Sequence, residues 1–186
     1  MVSHEPTLVL GQRAVDAKSN EIPAVRDLLR GRDLHGWLVT LDAMHTQVET
    51  AQLILEQGGH YLMVVKENQP TLWGALEEWF AEPAWEGEQE QTLLQQEKGH
   101  GRLERRRLTR RVLDGRLRLW PGACQALQRH CWSQVRTTGQ VRQAVTYALT
   151  SWPAAPAASP DVAPTELAQL ATWWRAHWHI ENRVHW

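Results

Sequence analysis

A chain of 186 residues with a formal net charge of -1 has room for one domain, and its balance carries no global basic signal for nucleic acid. Two cysteines, Cys124 and Cys131, give neither a disulfide framework nor a four-ligand zinc site, and imply a reduced, cytoplasmic setting. No apolar run nears the roughly 18 residues of a membrane helix, and residues 1–10 lack the basic start and long apolar core of a signal peptide.

Taken in order, residues 7–15 read as a strand, and 19–23 (Ser-Asn-Glu-Ile-Pro) as a helix entry with proline in the first turn. Val25, Leu28 and Leu29 give that helix an apolar face. Residues 36–44 form a short apolar run ending on Asp42, a buried strand with one acid at its carboxyl end. A helix follows over 45–57, with Met44, Val48, Ala51 and Leu55 as its stripe and Gly58-Gly59 as its stop. Residues 61–65 are a second apolar strand, ending in Lys66-Glu67-Asn68-Gln69. Strand, helix and strand at this spacing make a βαβ unit with parallel strands. Residues 70–80 are helical, with Leu72, Leu76 and either Trp79 or Phe80 inward.

Beyond this point the charge separates. Residues 81–100 are acidic and Gln-rich and read as a surface stretch or loop, whereas 101–119 are dense in arginine and read as one or two strands turning at Asp114-Gly115. Residues 135–142 suit a hairpin around Gly139, and 144–149 another strand. The Ala/Pro-rich stretch 152–164 is a linker or loop. Thr165 opens a last helix, with Leu167, Leu170, Trp174 and Trp178 in one stripe and Glu181 beside it.

Four constellations carry chemistry. Asp42 and Glu181 are oxygen ligands of the kind Mg²⁺ or Mn²⁺ prefers, and two such ions can clamp a phosphoryl displacement; as plain structure, Asp42 starts a turn or caps the next helix. His177, Glu181 and His185 recur every four residues and would suit a transition metal, a third class of function. The arginines of 102–111, Arg102, Arg105, Arg106, Arg107 and Arg110 among them, fit phosphate contacts or a solvated hairpin. Lys66, Asn68 and Gln69 could hold a phosphate beside Asp42, or make a plain loop.

These residues together resemble the DDE-type transposases of bacterial insertion sequences, in particular the H-repeat-associated group. The matching blocks are 18–22 (Lys-Ser-Asn-Glu-Ile), 39–44 (Val-Thr-Leu-Asp-Ala-Met), 59–69 from Gly-His-Tyr to Lys-Glu-Asn-Gln, 100–104 (His-Gly-Arg-Leu-Glu) and 177–186 (His-Trp-His-Ile-Glu-Asn-Arg-Val-His-Trp), in family order. The resemblance implies an α/β, ribonuclease-H-like mixed sheet flanked by helices, with a β-rich insertion before the last helix. It divides the chain into a core (1–80), an insertion (81–164) and a helix bearing the catalytic glutamate (165–186). It implies Asp42 and Glu181 as catalytic metal ligands with two Mg²⁺ or Mn²⁺ ions. It further implies DNA as partner through Lys66, Asn68, Gln69, Arg102, Arg105, Arg106, Arg107, Arg110 and His177, a dimer on DNA, and no membrane or small-molecule substrate. The reaction implied is hydrolysis of DNA strands at transposon ends, followed by attack of the freed 3′-hydroxyl on target DNA.

Three departures qualify the match. Trp174 and His177 stand where related enzymes carry a tyrosine and an arginine. The family's first aspartate belongs to an earlier strand, and Asp16 aligns with a later, non-catalytic position. The family also continues past the His-Trp at 185–186. The expectation is therefore a chain truncated at both ends with little activity of its own. The competing expectation is a non-catalytic remnant that binds DNA or a partner.

Overall fold

The two apolar runs become β1 (Leu38–Leu41) and β2 (His60–Val65) in the computed structural model, which describes residues 1, 3, 8–12, 21–99, 101–113, 120–154 and 162–177. They lie parallel, with Leu38 beside His60 and Leu41 beside Met63, and α2 (Val48–Glu56) makes the crossover. Tyr61, Met63 and Val65 face one side of the sheet, Leu62 and Val64 the other, and all five are buried. Coverage on both faces is why β2 is apolar without alternation.

Helix α2 stops as its glycines predict. The Gly59 N–H reaches the Ile54 carbonyl at 3.0 Å and the Gly58 N–H the Leu55 carbonyl at 3.0 Å, while Gly58 turns to φ +76°. This is the Schellman closure, which requires a residue in the left-handed region. The inward face of α2 differs from the predicted stripe. Thr50, Ala51 and Ile54 are buried, while Met44 and Val48 are exposed. The cause is local: Ala43–His45 form a 3-10 turn and Gln47 is extended, so helical counting cannot start at Met44.

Helices α1 (Glu21–Leu29), α2 and α3 (Pro70–Ala81) cover one face of the sheet. In α3, Leu72, Leu76 and Trp79 are buried, so Trp79 takes the inward place and Phe80 the flank. Residues 8–12 contain one isolated bridge at Val9 rather than the expected strand, and the rest of that expectation lies outside the described residues.

Four long antiparallel strands follow: β3 (Glu90–Gly99), β4 (Arg102–Val112), β5 (Gln125–Val135) and β6 (Val141–Thr150). β3 corrects the expectation of a loop over 81–100. Its residues pair one to one with β4, from Glu90 with Arg111 to Gly99 with Arg102. Strand β6 pairs antiparallel with β2, so the described residues form one mixed six-stranded sheet ordered β1-β2-β6-β5-β4-β3. The turn expected at Asp114-Gly115 lies outside the described residues.

The opposite face is covered by α4 (Val162–Ala176). Leu167, Leu170 and Trp174 pack on Leu62, Val64, Leu108, Leu127 and Ala148, as the predicted stripe requires; Trp178 lies outside the described residues. Full burial of such side chains contributes about 1.5–3 kcal/mol each. The mixed sheet with four helices is consistent with a ribonuclease-H-like transposase fold.

Candidate active site

Asp42 follows the last residue of β1 and sits at the head of the 3-10 turn. Its carbonyl accepts the His45 N–H at 2.9 Å, but its carboxylate does not cap the turn. Instead Oδ1 accepts a hydrogen bond from Lys66 Nζ at 3.2 Å. Burial pushes this carboxyl up, yet the Ala43 N–H, Lys66 and the charge of His177 outweigh it and hold the group below its ordinary value. Lys66 ends the loop side of β2, so the parallel pairing alone brings these two side chains together. In open α/β sheets ligands gather at this carboxyl edge.

The next two loop residues serve the backbone. Asn68 Nδ2 donates to the Ala43 carbonyl at 3.0 Å, and Gln69 Nε2 donates to the Thr46 carbonyl at 2.9 Å. Thr46, fully buried, donates its hydroxyl to the Val64 carbonyl at 2.6 Å. Together they clamp the turn that aims Asp42. His45 sits in the same turn, and burial pulls its imidazole below the ordinary range despite the charges of Glu21 and Asp42.

Helix α4 brings a third element to this edge. Its backbone carries on to His177, whose N–H donates to the Trp173 carbonyl at 3.2 Å. The ring Nδ1 lies 3.2 Å from Thr40 Oγ1, two residues before Asp42 on β1. Glu181 follows His177 by four residues in sequence and, with His185, lies outside the described residues. The open cleft at this edge has a volume of about 700 Å³, and Asp42, Lys66, Gln47, Asn68, Trp73 and Val145 are among its walls. Among the described residues, no group of three histidine, cysteine or acidic side chains converges on one point.

The arginine-rich strand divides by parity. Even-numbered residues of β4 face α4. Arg110 is fully buried, and its Nη1 donates to Glu166 at 2.7 Å and Gln125 at 3.2 Å. Arg106 pairs with Glu97 at 3.2 Å and with Glu104. Arg110 therefore ties α4 to the sheet, and burial removes it from the phosphate contacts expected of the cluster. Among odd-numbered residues, Arg111 is also internal. It donates to the Trp79 carbonyl at 2.5 Å, the Glu82 carbonyl at 2.7 Å and the Glu90 carboxylate at 2.6 Å, closing the carboxyl end of α3. Arg105 and Arg107 are exposed on that same face, and Arg102 is exposed near the hairpin.

Two side chains not expected from the sequence join the exposed pair. Trp132 lies opposite Arg105, whose guanidinium sits 5.2 Å from its ring, and His130 lies opposite Arg107. Val145 is next across the sheet from His130 and is also a wall of the Asp42 cleft. A row of Arg107, His130 and Val145 thus runs over the sheet into the cleft. The parity of four paired strands reveals it, and no single segment does.

The donor chemistry at Asp42 fits a hard divalent cation: a carboxylate on a rigid strand end, open to solvent and already holding the ammonium of Lys66. A family model described as "Transposase DDE domain" matches residues 1–186. The chain is 34% identical over 188 residues to "H repeat-associated putative transposase YhhI" of Escherichia coli K12, covering 97% of this chain and 46% of that protein. "Putative protein YbfL" of the same organism matches at the same identity and coverage. Over 100 residues the identity to "H repeat-associated putative transposase YbfD" of that strain is 42%, covering 54% of this chain and 40% of that protein. The chain spans about half the length of the first two relatives. A fold built around the Asp42 strand end and a family match along the whole chain agree, and the chain belongs to the DDE transposase family.

Proposed function

We propose that this chain carries the cleaving half of a DNA transposition reaction, with the DNA backbone lying along the Arg105–Arg107 face and entering the Asp42 cleft. The observation supporting this most is the row from Arg107 through His130 to Val145, because it joins an exposed basic surface to the carboxylate. Asp42, with Glu181 from beyond α4, would hold Mg²⁺ or Mn²⁺. Once bound, the metal supplies Lewis-acid polarisation of the scissile phosphate and a more acidic water.

The remaining roles belong to the chain. Lys66, beside Asp42, offers its ammonium to a non-bridging phosphate oxygen once a cation relieves it of the carboxylate. Asn68 and Gln69, expected as phosphate contacts, hold the 43–46 turn, so their part is positioning. His177, its ring Nδ1 3.2 Å from Thr40 on the Asp42 strand, can contact an approaching phosphate. Arg102, Arg105 and Arg107 contact phosphates outside the cleft and fix register without reading sequence. Hydrolysis breaks a P–O bond and leaves a 3′-hydroxyl, the nucleophile for attack on target DNA.

The test joins binding to cleavage. In fluorescence anisotropy with duplex DNA, Arg105→Ala and Arg107→Ala weaken binding, and each lowers the slope of log K against log salt by about 1. In Mn²⁺, Asp42→Ala abolishes nicking while DNA binding persists. Equal nicking by Asp42→Ala removes that residue from the mechanism. DNA binding without nicking by the parent chain favours the second reading, a DNA-binding module without catalysis, in keeping with the finding that no three candidate ligands converge among the described residues.

A further inference from the structure

We infer that β3 is a self-pairing edge, through which two copies of this chain join antiparallel into one continuous sheet, with the two-fold axis at Leu94. β3 is the last strand in the order β1-β2-β6-β5-β4-β3, so among the described residues one of its sides has no neighbouring strand. The Val112 N–H donates to the Gln89 carbonyl at 3.1 Å. Backbone direction alternates along a strand. The odd-numbered residues of β3 therefore turn their N–H and C=O groups to β4, and Glu90, Thr92, Leu94, Gln96 and Lys98 turn theirs outward. A row of outward donors and acceptors on a ten-residue edge is a template for another strand.

The side chains select which strand. Edges are commonly protected by charge, and here the charged outward-facing residues stand at the two ends, Glu90, which also accepts from Arg111, and Lys98. Antiparallel pairing of two copies about Leu94 sets Lys98 opposite Glu90 of the other copy, twice over by symmetry. It sets Thr92 opposite Gln96. It also sets Leu94, 74% exposed in the single chain, against its own counterpart. All of these are outward-facing residues, so each opposed pair exchanges two backbone hydrogen bonds. Registers displaced by one residue oppose an outward residue to an inward one and lose those bonds. Shifting the axis to Gln95 or Leu93 keeps the bonds but sets Leu94 against a polar residue and uncouples Glu90 from Lys98. A parallel arrangement places like charges side by side. The interface is isologous, as closed dimers require.

Arg107 and Leu94 are paired neighbours on one face. In the dimer the Arg107 side chains of the two copies stand three strand spacings apart, about 15 Å. That exceeds the Debye length of about 8 Å at physiological salt, so their repulsion is screened. The two basic faces then form one surface.

Sedimentation equilibrium without DNA tests this and leaves the DNA reading untouched. The parent chain is expected at twice the 21.4 kDa chain mass. Leu94→Pro removes an N–H directed away from β4, and Leu94→Lys sets charge on charge at the axis; both are expected at the single-chain mass with an unchanged circular dichroism melt. Lys98→Glu, which opposes a carboxylate to Glu90, is expected to raise the dimer Kd about tenfold. Leu94→Cys in a Cys124→Ser, Cys131→Ser background is expected to give a covalent dimer with a short bismaleimide. A parent chain at single-chain mass up to 100 μM overturns the proposal. So does a dimer that survives both Leu94→Lys and Leu94→Pro. Should Leu94→Pro unfold the chain, Leu94→Lys at an exposed position carries the test alone.

Discussion

Arg110 and Arg107 are three residues apart in one strand and do opposite work. Arg110 is 1% exposed and shared between Glu166 and Gln125, which in turn donates to the Trp152 carbonyl at 2.8 Å. Deleting it takes the guanidinium at 2.7 Å away from the Glu166 carboxylate, which is 10% exposed. Breaking such a pair is expensive because the surviving charge stays buried. Arg110→Ala is expected to cost about 3 kcal/mol in urea denaturation, while Arg107→Ala stays within about 0.5 kcal/mol and changes DNA binding instead. At the cleft, Lys66 is one of the groups holding Asp42 down against the upward push of burial. Lys66→Met is therefore expected to move the Asp42 carboxyl upward in an NMR titration, and an unmoved titration would remove Lys66 from its surroundings. Asp42 and Lys66 were legible together because a βαβ unit places both strand ends on one edge. The split among the arginines was not, because the side a strand residue faces depends on a register that composition does not carry.

At the scale of elements, α4 is fastened near both ends of its described part. Glu166 binds Arg110, while Arg175 donates to Glu97 on β3 through Nη2 at 2.9 Å and through Nη1. The Arg175 hydrogen bonds come first, then Arg106, and they hold the Glu97 carboxyl at about 2. A carboxylate depressed in the folded state adds stability above its unfolded value of 4.5 and loses it as pH falls toward 2. Glu97 is largely exposed, so the gain is modest after solvent screening. Hydrogen exchange of the last turn of α4 is expected to quicken between about pH 4.5 and 2 relative to the rest of the helix. Glu97→Gln should abolish that extra quickening. The same strand explains a misreading of the sequence. β3 is Gln- and Glu-rich, and of its ten residues only Gln91 and Leu93 are even partly buried. What makes it a strand is the ladder offered by β4, and a partner is invisible to local pattern. β1 and β2 were legible because apolar runs bounded by turns declare themselves.

For the molecule as a whole, stability rests on two cores separated by the sheet. The α1–α3 side draws on three helices and Arg111, whereas the other side, among the described residues, draws on α4 alone. Trp174 is the largest side chain there, 1% exposed, with Arg129 stacked 4.5 Å from its ring. Trp174→Ala is expected to cost about 3–5 kcal/mol, a loss read as a lowered midpoint in thermal denaturation. Phe in its place should recover most of that. The same exchange in α3, Trp79→Ala, is expected to cost less, because Phe80, its ring 5.6 Å away, packs beside the vacated space.

That α4 alone covers this face among the described residues has a consequence for how such a protein fails. α4 carries His177 to Thr40, so the helix that screens Leu62, Val64, Leu127 and Ala148 from water also reaches the strand that ends in Asp42. If it peels away, Thr40 loses its contact with His177 in the same event that bares an apolar slab to every neighbouring molecule. Misassembled copies would then associate through that slab rather than persist as single chains.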